Sequence, residues 1–244
     1  MPLDLDRVVS HLTSLEEAIL MKLIDRCQFA HNAIVYIPGQ SGFDPPESAS
    51  LLELRLLQQE TIDAYFGRYL VPEERPFYTN LPPPKRRVKA IDPELRIREL
   101  ETINLSGRIL VSYLDLLPQI CRADDDGHYG SSVEHDVICL QAIARRVHYA
   151  ACYVAESKYQ RDPNTFQSLI ERQDVEGLLE KLTRKEVENE VIKRIGYKLR
   201  GLQKASDPKN RHLIEEDVIK YYFKNWIIPL TKEGEVRYLL QRRD

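Results

Sequence analysis

Apolar residues recur at steps of three and four along most of the chain, which is the spacing of one face of an α-helix. The first stripe consists of Leu12, Leu15, Ile19, Leu20 and Leu23. It predicts a helix from about Asp6 to His31. Strands would show alternating apolar and polar positions, and no convincing run of that kind is present. The pattern therefore favours an all-α fold.

Helical spacing returns in the string LLELRLLQQETIDAYFGRY, for which Ser48 or Ser50 is a suitable N-cap. It resumes near Asp92 and continues through INLSGRILVSYLDLLPQIC. The remaining predicted helices run over Ser132 to Tyr159, Pro163 to Glu171, Val175 to Leu202 and Glu215 to Arg243. Because helices average about 11 residues, we expect one all-α domain over residues 1–244, a bundle of about ten to twelve helices without significant β-sheet.

The composition agrees with a helical globular protein. Of the 244 residues, 43% are hydrophobic, which is enough to bury a core, and only 10 are glycine, which disfavours a turn-rich sandwich or barrel. The formal net charge of -3 offers no general attraction for nucleic acid or for an anionic membrane. Nucleic-acid-binding and membrane-binding proteins are therefore excluded as first interpretations.

Short motifs for metal, nucleotide or redox chemistry are missing from the sequence. Its cysteines form no C-x-x-C pair, and no H-E-x-x-H, G-x-G-x-x-G or Walker loop occurs. We therefore expect no cofactor and no metal site. The acidic N-terminus lacks the basic and apolar blocks of a secretion signal, and no apolar run of about 18 residues appears. These features predict a cytoplasmic protein.

Polar residues with useful chemistry lie at helical spacing in the segment YGSSVEHDVICLQAIARRVHYAACYVAESKY. Ser131 and Glu134 are spaced as a capping box, which explains a helix start without any ligand. Arg146 stands beside the apolar stripe, twelve residues before Lys158. Charged groups that flank a buried face need a partner, so these two are candidates for a site.

Two later segments carry further candidates. Thr231 and Glu235 are four residues apart, hence about 40° apart on one helix face. Arg184 and Glu188 belong to the strongly charged string LTRKEVENEVIKRIGYKLRG. Such residues are more often solvated helix surface than functional groups. Spacing by itself does not choose among them.

Longer strings carry a resemblance to a known family. They are LIDRCQFAHNAIVY, GRYLVPEERPFYTNLP, YGSSVEHDVICLQAIARRVHY, VAESKYQ, DVEGLLEKLTRKEVENEVIKR and IIPLTKEGEVRYLLQRR. Together they resemble the all-helical chorismate mutases of fungi and plants, with a match from about Leu15 to Arg243. The resemblance implies a homodimeric, cofactor-free isomerase of the shikimate pathway, which converts chorismate to prephenate for aromatic amino acid biosynthesis.

The resemblance also implies roles for the candidate residues. Arg146 would hold a substrate carboxylate. Lys158 and a protonated Glu235 would donate to the breaking ether oxygen, while Thr231 would support the same face. Glu188 would accept from the substrate hydroxyl. No nucleophile is required, because a [3,3] rearrangement needs only a folded substrate and stabilised charge on the ether oxygen.

Regulation by aromatic amino acids at the dimer interface is a second implication of the resemblance. Gly130 and Ser131 match the family's effector-binding helix start, and Arg68 matches one of its effector-contacting arginines. Gly67 precedes that arginine, where fungal relatives often have a second one, and Glu134 stands where threonine is usual. A carboxylate at that position would repel the effector carboxylate, so we expect altered or absent regulation.

Three positions depart from the family pattern. Relatives carry an arginine on the first helix where this chain has Val9, and Arg7 lies about 160° away round the helix, so one carboxylate clamp is missing. Arg146 and Lys158 are twelve residues apart instead of eleven, about 120° from eclipsed. Either a π-bulge lies within YAACY or Lys158 is rotated away, and we favour the bulge because VAESK beyond it matches. Arg184 replaces an asparagine, and it either supplies the missing cation or points to solvent.

Three hypotheses follow from these observations. The first is an active chorismate mutase with a rearranged carboxylate clamp. The second is a divergent paralogue acting on a related substrate such as 4-amino-4-deoxychorismate, and the third is a catalytically weak homologue that serves as a regulator. Five matched polar positions outweigh one lost position, so we expect the first.

Overall fold

The computed structural model describes residues 3–43, 47–87, 95–97, 99–204, 209 and 211–243, and these ranges are built from helices. The α-helices are α1 (Leu5–Arg26), α2 (Leu51–Tyr65), α3 (Ser106–Ile120), α4 (Tyr129–Tyr149), α5 (Ala155–Arg161), α6 (Pro163–Glu171), α7 (Val175–Leu182), α8 (Lys185–Lys204), α9 (Glu216–Tyr222) and α10 (Ile228–Gln241). The only β pairing in this part of the chain is one isolated bridge between Ile97 and Arg242. The predicted all-α fold is confirmed.

Two π-helical segments make the number of separate helices smaller than predicted. The first, Ala150–Val154, joins α4 to α5, and the second, Phe223–Ile227, joins α9 to α10. Counted as continuous rods, the described ranges contain eight helices instead of ten to twelve, because these two rods are much longer than the average helix. No helix in the described ranges is both long and apolar enough to cross a membrane.

The first helix begins and ends for identifiable reasons. The Asp4 carboxylate accepts a hydrogen bond from the Asp6 N–H at 3.0 Å and caps α1. At its other end α1 stops at Arg26, short of the predicted end at His31. The Arg26 guanidinium turns back to donate to the His31 carbonyl, and Asn32 adopts a left-handed backbone conformation that no helix continues through.

The helix predicted from Val175 to Leu202 is wrong as a single element, because the structure divides it into α7 and α8. Thr183 is extended there, with φ −78° and ψ 121°. Its hydroxyl donates to the Leu179 carbonyl at 2.7 Å and so hydrogen-bonds one of the carbonyls in the last turn of α7. The break places Arg184 at a turn between two helices instead of on a continuous helix surface.

The predicted helix starts have different outcomes. Ser50 forms a reciprocal capping box with Glu53 and begins α2. The box expected at Ser131 and Glu134 is wrong, because the Asp126 carboxylate folds the preceding loop and α4 already begins at Tyr129. The start expected near Asp92 lies outside the described residues, and the next α-helix is α3.

The core consists of two apolar clusters that meet along the two long rods. One cluster packs α1, α3, α4 and α9 together and includes Val147 and Leu230. The other packs α5, α6, α7 and the end of α10, and includes Cys152 and Val236. Both rods therefore pass from one cluster to the other within a few residues. Polar side chains placed where the two clusters meet are therefore surrounded by apolar residues, and neither cluster is interrupted by them.

A buried ionic network fixes α1 against α4. The Arg26 guanidinium pairs with the Asp136 carboxylate, and both side chains are fully buried. Asp136 also accepts from the hydroxyls of Tyr113 at 2.7 Å and Tyr36 at 2.8 Å. Because every oxygen of the carboxylate is hydrogen-bonded, this network specifies one relative placement of the two helices. Those helices form two walls of the site described next.

Candidate active site

An open cavity of about 270 Å³ lies where the first half of α1, the α4–α5 junction, the start of α8 and the start of α10 meet. Its walls are mainly apolar. Its charged and hydroxyl side chains are Glu16, Arg146, Lys158, Arg184, Glu188, Arg194, Thr231, Lys232 and Glu235. All five residues predicted as catalytic, together with Arg184, therefore surround one cavity. Their individual roles remain predictions.

Arg146 lies in the floor of the cavity and is 5% exposed. Its Nη1 donates to the Thr231 hydroxyl at 2.7 Å, and its Nη2 donates to Glu16 Oε1 at 3.1 Å. Its Nε is buried and has no hydrogen-bond partner among the described residues. An unpaired buried N–H costs free energy, so the guanidinium at the cavity floor is not fully satisfied by the described residues.

The predicted π-bulge is confirmed by the π-helical segment Ala150–Val154. A π-turn absorbs one additional residue, so the twelve-residue spacing of Arg146 and Lys158 has the angular effect of eleven. The two side chains then lie about 20° apart round the rod. Both face α10 as a result, Arg146 toward Thr231 and Lys158 toward Glu235.

Lys158 and Glu235 form the second polar group of the floor. Lys158 Nζ donates to Glu235 Oε2 at 2.8 Å and to the Leu182 carbonyl at 3.1 Å. The Glu235 side chain is only 4% exposed. Burial raises the pKa of the Glu235 carboxyl, while the Lys158 ammonium beside it acts in the opposite direction. The raised pKa favours a protonated acid that can donate a hydrogen bond.

Gly234 lets α10 approach the first π-segment closely. A Cβ at this position would lie 2.6 Å from the Ala151 Cβ, which is closer than two carbon atoms can pack. Ala151 belongs to the π-segment. Glycine at 234 therefore allows Thr231 and Glu235, on the same helix, to stay within hydrogen-bond distance of the two cations across from them.

The rim of the cavity differs from the floor in exposure. Val9 lies on the cavity face of α1 and is 44% exposed, so this helix presents an apolar side chain to the cavity at that point. Arg184 is exposed at the opposite side of the rim. No carboxylate among the described residues pairs with it. Glu188, in the first turn of α8, pairs instead with Lys232 at 3.1 Å.

Three charged residues of the cavity escaped the sequence analysis: Glu16, Arg194 and Lys232. Glu16 is 1% exposed, and its Oε2 accepts from Arg194 Nη2 at 2.8 Å. Its position was a usable signal, because it follows Leu12 by four residues and so falls on the apolar stripe, where a charge needs a partner. Arg194 and Lys232 lie in charged helices and gave no such signal.

The residues expected to bind an effector are not brought together within one chain. Arg68 donates to Asp63, Glu74 and Gln141, at distances of 2.7 to 3.0 Å. Gly130 lies in the first turn of α4, eleven residues before Gln141 in the sequence, which corresponds to roughly 16 Å along a helix. A ligand of amino acid size does not span that distance, so a joint site would require a second chain.

Known proteins are similar to this chain over nearly its whole length. No family model matches the chain. The chain is 35% identical to the chorismate mutase of Schizosaccharomyces pombe over 249 residues, which covers 98% of this chain and 96% of the relative. It is 34% identical to chloroplastic chorismate mutase 1 of Petunia hybrida over 255 residues, covering 98% and 76% of the two chains.

Solved structures show the same fold. The chorismate mutase of Candida albicans in complex with L-Trp superposes with a TM-score of 0.89 at 34% identity, covering 98% of this chain and 91% of that one. Two further similar structures hold phenylalanine or tyrosine in an allosteric site. These relatives favour neither a different substrate nor a purely regulatory protein. The chain belongs to the chorismate mutase family of plants and fungi.

Proposed function

We propose that the cavity converts chorismate to prephenate, and that it does so by binding one folded conformer of the substrate and stabilising the charge that grows on the breaking ether oxygen. The observation that carries this proposal is the convergence of Arg146, Lys158 and the buried Glu235 on one cavity of about 270 Å³. The reaction needs no nucleophile. Its whole acceleration rests on conformational restriction and electrostatics.

The arrangement suits a doubly negative substrate. Arg146 lines the cavity, and its guanidinium binds one substrate carboxylate there. Thr231 holds the guanidinium from the other side and donates its own proton to the Ile227 carbonyl at 2.7 Å. The guanidinium is thus oriented before substrate arrives, which reduces the entropy lost on binding.

The ether oxygen of the substrate takes its hydrogen bonds from Lys158 and Glu235. In the free cavity these two side chains bond to each other, and the substrate oxygen inserts beside them. Glu235 donates only when it carries a proton, and its raised pKa extends that state to higher pH. A rate enhancement of about 10⁶ requires about 8 kcal/mol from these contacts and the folded geometry together.

The second carboxylate of the substrate is bound at the rim. Val9 offers no charge there, so we assign this role to Arg184, which lines the cavity and has no carboxylate partner among the described residues. Arg184 directly precedes α8, whose N-terminus adds a favourable potential for an anion. Glu188, one turn into that helix, accepts from the substrate hydroxyl.

The direct test is conversion of chorismate to prephenate by purified protein. We expect saturable turnover well above the uncatalysed rate, and a Lys158→Met variant purified in parallel should lose nearly all of it, which excludes a contaminating host enzyme. The proposal fails if the wild-type protein forms no more prephenate than buffer does. Running 4-amino-4-deoxychorismate beside chorismate would show whether the rearranged rim changes the substrate preference.

We further propose that the chain acts as a homodimer, in which an aromatic amino acid binds between Arg68 of one chain and the α4 start, Gly130 and Ser131, of the other. Exposed apolar side chains lie close to Arg68 in the sequence, among them Ile62 and Phe66, with 51% and 62% exposure. Contact with a second copy of the chain would remove these apolar side chains from water, which favours a dimer. Glu134, exposed in the same helix turn, weakens the binding of the effector carboxylate by repulsion.

Light scattering and calorimetry test this assembly. We expect a dimer for the wild-type protein, monomers for Phe66→Asp and an unchanged dimer for Tyr197→Asp, which alters an exposed aromatic on α8. Titration with tyrosine, tryptophan and phenylalanine should show weak binding that Glu134→Thr strengthens. A monomeric wild-type protein would rule out the shared effector site.

The cytoplasm is the compartment we propose. All four cysteines are free and buried, as is usual where thiols stay reduced. A fluorescent fusion expressed in the source cell tests this, and accumulation in an organelle, as the name of the Petunia relative indicates for that protein, would contradict it.

A further inference from the structure

Lys232 is a cation of the cavity that the proposed chemistry leaves without a task. It lies between Thr231 and Glu235 on α10, yet its side chain turns away from both. Its Nζ is 3.1 Å from Glu188 Oε1 and donates to the Thr183 hydroxyl at 3.4 Å. The Lys232 side chain thus reaches from α10 to the junction of α7 and α8.

Both members of this pair are only partly exposed, 23% for the Lys232 side chain and 27% for that of Glu188. An ion pair that is partly shielded from water is stronger than one on the open surface, because solvent and salt weaken it less. Glu188 has several rotatable bonds and sits at the rim, where it has no other cationic partner among the described residues. Lys232 therefore selects one rotamer of Glu188 from several that the rim allows.

The geometry points to Lys232 as a positioning residue: we propose that it binds Glu188 Oε1 and thereby aims Oε2 at the hydroxyl of the substrate. The inference rests on the proposed function and extends it to the recognition of that hydroxyl. Lys232 contacts no reacting atom in this arrangement. Its direct partners are Glu188 and the Thr183 hydroxyl. Its charge also acts through space to lower the pKa of Glu235, so removing it would favour the protonated acid and would not weaken that donor.

A direct role is the alternative, because an ammonium that lines the cavity is also able to bind a substrate carboxylate. The two roles differ in one respect. If Lys232 acts through Glu188, its removal weakens only ligands that carry the hydroxyl. If it binds a carboxylate itself, its removal weakens every dicarboxylate ligand to the same degree.

The experiment compares two rigid ring dicarboxylates that mimic the folded substrate, one with the hydroxyl and one without it, as inhibitors of the active enzyme. For Lys232→Met we expect the inhibition constant of the hydroxyl mimic and the KM for chorismate to rise about tenfold, the loss of roughly one good hydrogen bond. The deoxy mimic should bind as before, and kcat should change less than threefold.

Three further variants make the result specific. Lys232→Arg retains a donor and should restore binding of the hydroxyl mimic to within about threefold. Lys193→Met removes an exposed lysine from a pair with Glu190 on the same helix and should change nothing. In a Glu188→Gln background, Lys232→Met should add little further loss, because both changes disrupt one interaction.

Equal weakening of both mimics by Lys232→Met overturns the inference in favour of direct carboxylate binding. Unchanged binding of both overturns it as well, since the pair would then be a surface contact without effect. Circular dichroism and the melting temperature show whether each variant folds. An inactive wild-type protein would instead refute the proposed function, so the two failures are distinguishable.

Discussion

The floor and the rim of the cavity are built in different ways. The floor groups, Arg146, Lys158, Thr231 and Glu235, come from the middle of two long rods, are buried or nearly so, and bond to one another. The rim groups Val9, Arg184 and Glu188 come from the first two turns of α1 and from the start of α8, and Val9 and Arg184 are exposed. Lys232 belongs to the same rod as Thr231 and Glu235, but its side chain reaches the rim at Glu188. Groups at the floor have one available arrangement, whereas groups at the rim can be exchanged with little effect on packing.

This difference explains where the chain departs from its relatives. The inserted residue near the floor is absorbed by a π-segment, and Gly234 makes room for it, so the floor geometry survives. At the rim, Val9 brings no charge to the cavity, and the cation that we propose in its place, Arg184, lies at the turn before α8. Chemistry that needs a dry, fixed arrangement is kept at the floor, and substrate binding is adjusted at the rim.

The largest expected effect concerns Glu235 at the floor. Glu235→Ala should lower kcat about 10²–10³-fold, as the loss of a donor to developing charge does. Since only the protonated acid donates, wild-type activity should fall as the pH rises through the raised pKa of Glu235. Glu235→Gln keeps a donor at every pH, so its rate should stay level across that range.

Rate profiles against pH for the wild-type enzyme and the Gln variant test this role. Glu233→Gln, two residues earlier and outside the cavity lining, is the matched control and should keep the wild-type profile. A Gln variant without activity at any pH would show that Glu235 acts as a carboxylate and not as a neutral donor.

A smaller effect is expected where the rods meet. Gly234→Val places side-chain atoms against Ala151, so we expect a loss of about 1–3 kcal/mol in the free energy of unfolding and a lower kcat, because α10 must shift. Gly201→Ala, at an open position on α8, should instead be neutral or stabilising by about 0.5–1 kcal/mol. Urea denaturation measures both, and equal stabilities for the two variants would remove the special role of Gly234.

At the rim, Arg184→Ala should raise the KM for chorismate about tenfold, the loss of one charge-assisted contact, with a lesser change in kcat. Arg200→Ala, which removes an exposed arginine farther along α8, serves as the control. Unchanged KM and kcat for Arg184→Ala would assign this side chain to solvent.

The smallest effect is expected from restoring a cation to the first helix. Val9→Arg places a guanidinium on the cavity face of α1 and should lower the KM by about threefold in the wild-type background, where Arg184 already binds the carboxylate. In the Arg184→Ala background it should recover most of the lost affinity. No rescue there would mean that the two positions serve different parts of the substrate.

Several features followed directly from the sequence. Arg146 and Lys158 are twelve residues apart, one more than in the family that the chain resembles. Because the helix repeat is fixed by backbone geometry, that difference predicted a π-segment. Ser48 or Ser50 was the expected N-cap of α2, and Ser50 takes that position through contacts with Glu53 only three residues away. Such local rules did not reveal the break at Thr183, since periodicity continues on both sides of it and the end of α7 is marked by the extended backbone of that one residue.

The sequence by itself determined the helical architecture, the positions of the rods and the candidates Arg146, Lys158 and Glu235, because all of these depend on residues close together in the chain or on long strings shared with relatives. Only the tertiary structure decided that Glu16, Arg194 and Lys232 belong to the same cavity. Their partners lie far away in sequence, and whether a charged helix residue faces solvent or a buried counter-charge depends on which helix packs against it.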